Sequence, residues 1–102
     1  MIIYNVTVSV EESITNDWIE WMKTIHIPEV MDCKIFSKAT ISRVIAHEDN
    51  TNTFAISYTC NSIKDLHQYQ IKFSNPLQQK HIDRYGEKAI AFRTIMEVID
   101  QF

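Results

Sequence analysis

One glycine, two prolines and two cysteines make up this chain's whole stock of the residues that usually punctuate or staple a small protein of 102 residues. With Gly86 as its only glycine, the chain cannot easily build a glycine-rich phosphate loop. Cys33 and Cys60 have no partner at CxxC spacing and fall in different predicted elements, so both are expected as free thiols. His47, His67 and His81 show neither HxxxH nor HxxE spacing, and no metal or other cofactor is expected. Basic residues number 10 against 13 acidic ones, with no basic cluster beyond two neighbours, which argues against nucleic acid as a partner. No apolar run approaches the ~20 residues of a membrane helix. The apolar start, Met1 to Val10, lacks a basic leader, alternates with period two and runs into Glu11-Glu12, so it reads as a strand and not a signal peptide. The expected compartment is the cytoplasm.

Against these absences stands an orderly pattern. One domain, residues 1–102, is expected from the length. Strand one is read from Ile2 to Val10, with Tyr4, Val6, Val8 and Val10 on one face. Ser13 or Thr15 can cap a helix whose stripe is Ile14, Trp18, Trp21 and Ile25, and Pro28 is expected to break it, with room for a short helical turn after it to Met31. Strand two is read from Ile35 to Ala46, a hairpin loop from His47 to Asn52, and strand three from Thr53 to Cys60. Asn61 or Ser62 caps a second helix with Leu66, Tyr69 and Phe73 inward. Ser74-Asn75-Pro76 interrupts it, a renewed helix ends at Tyr85, and Gly86 supplies a left-handed cap. Strand four runs from Ala89 to Ile99. This order predicts an α+β, ferredoxin-like βαββαβ fold: a four-stranded antiparallel sheet with two helices on one face.

The second face of that sheet has to be accounted for. The helix-facing set reads as Tyr4, Val6, Val8, Ala39, Ile41, Ile45, Phe54, Ile56, Tyr58, Phe92, Met96 and Val98. The other face then carries Asn5, Thr7, Ser9, Lys38, Thr40, Ser42, Val44, Ala55, Ser57, Thr59, Ala91, Arg93, Ile95 and Glu97. A face of small hydroxyls suits water, yet it also suits packing against a second copy around a shared cavity, and a homodimer is expected. An RNA-binding sheet would expose aromatics on its central strands, where this chain has Thr7, Ala55, Ser57 and Thr59.

Five residues are candidates for a small-molecule site. His26 at the end of helix one could act as a general base, or its charge could simply suit the helix terminus. Trp18 could stack on a flat ligand, although aromatics at helical spacing are usually core. Arg93 could hold a carboxylate bidentately; Arg93 and Glu97, four apart on a strand, share a face and could equally form a structural pair. Asn5 could orient a ligand carbonyl or satisfy its neighbours.

The segment Trp18-Ile19-Glu20-Trp21-Met22-Lys23-Thr24-Ile25-His26-Ile27-Pro28-Glu29-Val30 resembles a signature of a family of short uncharacterised bacterial proteins, domain of unknown function 4286. His81 to Gly86, followed by Ala91 to Val98, resembles that family's C-terminal signature, so the resemblance covers nearly the whole chain. It implies a dimeric α+β barrel, in which ferredoxin-like subunits pair sheet to sheet. Where a Thr-Gly-like turn would be expected before strand two, this chain has Asp32-Cys33-Lys34. The family name carries no activity. The functional expectation is a non-catalytic small-ligand-binding or interaction module. The alternative is a small cofactor-independent enzyme, monooxygenase- or isomerase-like, that uses the barrel cavity; this rests on analogy of fold.

Overall fold

The structure, a computed structural model, describes residues 1–45 and 51–102. β1 (Ile2–Glu11) leads through a short 3-10 turn into α1 (Thr15–Trp21), a π turn (Met22–His26) and α2 (Ile27–Met31). β2 (Lys38–Arg43) and β3 (Thr51–Cys60) follow, then α3 (Ile63–Tyr69), a second π turn (Gln70–Ser74) and α4 (Asn75–Tyr85), and finally β4 (Ala89–Glu97). The strands lie in the order β2-β3-β1-β4, and every neighbouring pair is antiparallel. This is the expected ferredoxin-like arrangement. The two helical arms cover one face: Trp18, Trp21, Met22, Val30, Leu66, Tyr69, Leu77 and Tyr85 share a buried cluster with Tyr4, Val8, Phe54, Ile56 and Tyr58 of the sheet.

Both prolines sit inside continuous helical arms: the breaks expected at Pro28 and at Ser74-Asn75-Pro76 do not separate the helices, although Pro76 does fall in the first turn of α4 as expected. Residues 15–31 run through Pro28, and residues 63–85 run through Ser74-Asn75-Pro76. Each proline lacks an amide hydrogen, and each arm widens into a π turn just before it, which re-routes the interrupted hydrogen bonds. The extra residue also rotates the apolar stripe. Ile25, expected inside, is 45% exposed, while Met22 and Val30 are buried. Ser62 caps α3 as expected, accepting from the Asp65 amide at 3.2 Å. Thr15 does not cap α1; its hydroxyl donates to the Glu11 carbonyl at 2.9 Å. β2 is shorter than expected, and Asn52 belongs to β3 instead of a loop; most of the expected loop, including His47, lies outside the described residues.

The main correction concerns β4. Val6 stands opposite both Ile56 and Arg93, and Thr7 opposite both Ala55 and Phe92. Residues opposite each other in a ladder share a face. Ala89, Ala91, Arg93, Ile95 and Glu97 therefore point to the helical side, and Ile90, Phe92, Thr94 and Met96 to the other side. The expectation was the reverse. Strand alternation has period two, so a one-residue misreading inverts the whole strand. The signal misled because β4 carries its bulky apolar residues outward: Phe92 and Ile90 are each 62% exposed. Ile45, also expected inside, is exposed.

Two backbone positions have positive φ, Gly86 (55°) and Lys34 (63°). Gly86 follows α4 with ψ of −132°, a combination open essentially to glycine, and not the left-handed helical cap expected from sequence. Lys34 closes the Asp32-Cys33-Lys34 turn after α2, donating its amide to the Met31 carbonyl at 3.1 Å. A lysine thus occupies the left-handed position where a glycine would be easier.

Candidate ligand cavity

A cavity of about 40 Å³ lies between the helical arms and the sheet. Its polar lining comes from His26, Gln78, His81 and Arg93 and from the phenols of Tyr4, Tyr58 and Tyr69. A cleft of about 330 Å³ between α4 and β4 shares Gln78, His81, Ala91 and Arg93 with it, so the two form one continuous recess. Small side chains explain the recess. β4 presents Ala89 and Ala91 to the helices at positions where larger residues would have filled the space.

His81 is held by Trp18, whose indole Nε1 donates to His81 Nε2 at 2.9 Å. An accepting nitrogen carries no proton, so neutral His81 bears its hydrogen on Nδ1. Trp21 stacks on His26 at 4.9 Å between ring centroids. The two imidazoles lie 6.0 Å apart. The His26 Nδ1 atom is buried and has no hydrogen-bond partner among the described residues. Burial, reinforced by His81 and opposed by Glu29, pushes the pKa of His26 down to about 4. Burial and Arg93 lower that of His81 as well. Both rings are therefore neutral near pH 7. Burial raises Tyr58 and Tyr69 far above the ordinary phenol range. It also raises Tyr4, whose hydroxyl is drawn back in part by Arg93 and Gln78 beside it. Among the described residues the ion pairs are Lys80 with Glu29 at 2.6 Å and Arg84 with Asp17 at 3.4 Å, so Arg93 has no carboxylate partner. The recess thus offers one lasting cation, neutral imidazoles and neutral phenols.

Of the five sequence candidates, His26 and Arg93 meet at the cavity. Trp18 is fully buried and reaches the site only by positioning His81. Asn5 lies on the opposite face, accepting from Ser57 and donating to Thr7, each at 3.0 Å. Glu97 shares Arg93's face but stands opposite Ile2 near the end of β4, away from the cavity lining. The anticipated Arg93–Glu97 pair is absent among the described residues. His81, Gln78 and Tyr4 were missed as site residues. The signal was available for His81: Leu77, His81 and Tyr85 recur every four residues, which puts His81 on the inward stripe of α4.

Known structures share this architecture. A dimeric ferredoxin-like protein from an uncultured marine organism superposes with a TM-score of 0.71 at 9% identity, covering 100% of this chain and 98% of its own. A protein provisionally assigned as an antibiotic biosynthesis monooxygenase, from Deinococcus radiodurans, gives 0.70 at 12% identity, with 100% and 96% covered. An ethyl tert-butyl ether d (ethd) family protein from Bacillus halodurans gives 0.69 at 13% identity, with 97% and 100% covered. At such identities the likeness shows the fold alone. No curated protein matches the chain. The family model for the domain of unknown function DUF4286 matches residues 1–99, so nearly every element described above, from β1 through β4, falls within it and the chain belongs to that family.

Proposed function

We propose that this chain is a homodimeric module that binds a small molecule in the recess between α4, β4 and the helical arms. The observation that carries the reading is the unpartnered, buried His26 Nδ1 beside a cavity whose other polar groups converge without a carboxylate. Burying polar groups without partners costs stability, so a site of this kind is explained by a guest that supplies the missing contacts. Dimer formation is supported by the exposed apolar stripe of Ile90, Phe92 and Met96 on the uncovered sheet face. The marine-organism relative is described as dimeric, which agrees with that reading.

A second reading, a small cofactor-independent enzyme, gains from one observation. Neutral His26 and a tautomer-locked His81 lie 6.0 Å apart beside Arg93, a constellation able to move a proton next to a developing negative charge. Thermal-shift screening of a small-molecule library against the wild-type protein and Ala91→Phe tests the binding reading. Ala91 lines both parts of the recess, and a phenyl ring there fills it. Ligands that stabilise the wild type should leave the variant's melting point unchanged. Equal shifts in both proteins would move binding elsewhere and sink the reading.

A further inference from the structure

The recess has two unlike parts. Its inner part, at about 40 Å³, suits a group of a few heavy atoms, given that one water needs about 10–15 Å³. It is too small for a ring. That inner part is where Arg93, Tyr4 and Gln78 stand together. The outer cleft is much larger and is walled by Ile82, Ala89 and Ala91. Glu87 lines the cleft but not the cavity, whereas Arg93 stands between the two and lines both, so the outer part carries both charges and the inner part meets the guanidinium alone. Resting on the proposed binding function, we infer that the ligand class is a small organic monoanion with an apolar body. Its carboxylate, or an enolate of similar size, enters the cavity against Arg93, and its body lies in the α4–β4 cleft.

The charge pattern sets the direction of entry. An anionic group near Glu87 is repelled, and the same group at Arg93 meets an otherwise unpaired cation and hydroxyl donors. A guanidinium suits a planar carboxylate because its N–H groups form a matching fork. A second negative charge on the ligand would lie in the cleft near Glu87, so dianions and inorganic phosphate are poor fits. The neutral state of both histidines keeps ring nitrogens available as acceptors or donors without adding charge to the site.

Nuclear magnetic resonance titration of the wild-type protein with benzoate, benzyl alcohol and inorganic phosphate tests this class. Benzoate should move the amide signals of Gln78, His81 and Ala91 saturably. Benzyl alcohol, the same body without the charge, should bind about tenfold or more weakly, as loss of a hydrogen bond to a charged group implies. Arg93→Met should weaken benzoate by a similar factor, and Arg93→Lys should recover part of it. Benzyl alcohol binding as tightly as benzoate, or Arg93→Met without effect, would overturn the anion; phosphate matching benzoate would overturn the apolar body. Absence of any benzoate response at millimolar concentration would overturn the class as well. The broader binding reading is judged apart from these outcomes, by the comparison of wild type with Ala91→Phe.

Discussion

The two faces of the sheet are built from the same four strands and have opposite fates. On β1 and β3 the division is conventional: Tyr4, Val8, Phe54, Ile56 and Tyr58 are buried beneath the helices, while Asn5, Thr7, Ser57 and Thr59 line the other side. On β4 the sizes are exchanged. Ala89, Ala91 and Arg93 face the helices, and Ile90, Phe92 and Met96 face away. That single strand therefore hollows one face and leaves bulky apolar side chains exposed on the other. A cavity and an exposed apolar stripe, which look like separate features, follow from one pattern of side-chain size.

The largest expected effect tests the uncovered face. Phe92→Asp should convert a dimer of about twice 12.0 kDa into a monomer in light scattering, because an unpaired charge buried in a sheet–sheet interface costs several kcal/mol. The recess should survive, since residue 92 points away from it. A wild-type protein that is already monomeric would break the comparison at its uncovered, apolar side.

A smaller effect belongs to the covered face alone. The folded pKa of His26, about 4, lies below its ordinary value of 6.5. Between those values the unfolded chain binds more protons than the folded one, so stability falls as pH drops from 6.5 toward 4 and is level above 6.5 with respect to this group. The loss should be on the order of 3 kcal/mol. Chemical denaturation across this window should show a shallower pH slope in His26→Phe, which keeps a ring against Trp21 but cannot take a proton. An unchanged slope would mean that His26 is solvated and the covered face is wetter than its geometry indicates.

The smallest effects concern the backbone that sets up β4 and β2. No atom lies within 4 Å of a Cβ built on Gly86, so Gly86→Ala should cost only the strain of its backbone, roughly 1–3 kcal/mol. Lys34→Gly should stabilise by up to about 1 kcal/mol, because Lys34 already holds a left-handed conformation and its side chain is exposed. Denaturation midpoints should move in opposite directions for the two variants.

The order of elements was legible from sequence because strands one to three alternate and Ser62 caps α3 where the sequence put it. Strand four was not. Ala89-Ile90-Ala91-Phe92-Arg93 puts its bulk on the face without helices, and no rule based on size can read that as outward. The prolines misled for a different reason. Pro28 and Pro76 break the α pattern, but a π turn absorbs each break and lets the arm continue. The site was half legible. His26 and Arg93 were singled out, but Arg93 was placed on the face away from the helices, so their meeting was not foreseen, and His81 was weighed only for metal spacing. Its pairing with Trp18 spans 63 residues and is invisible to any local motif.

That pairing has an optical consequence. The chain has two tryptophans, and each touches a different imidazole of the recess: Trp18 by hydrogen bond, Trp21 by stacking. Indole emission is sensitive to a neighbouring imidazole's charge and to displacement of the ring. The protein thus carries its own fluorophores at its candidate site, with no other tryptophan elsewhere in the chain to dilute the signal. Intrinsic emission should report both the occupancy of the recess and the protonation of its histidines without any label.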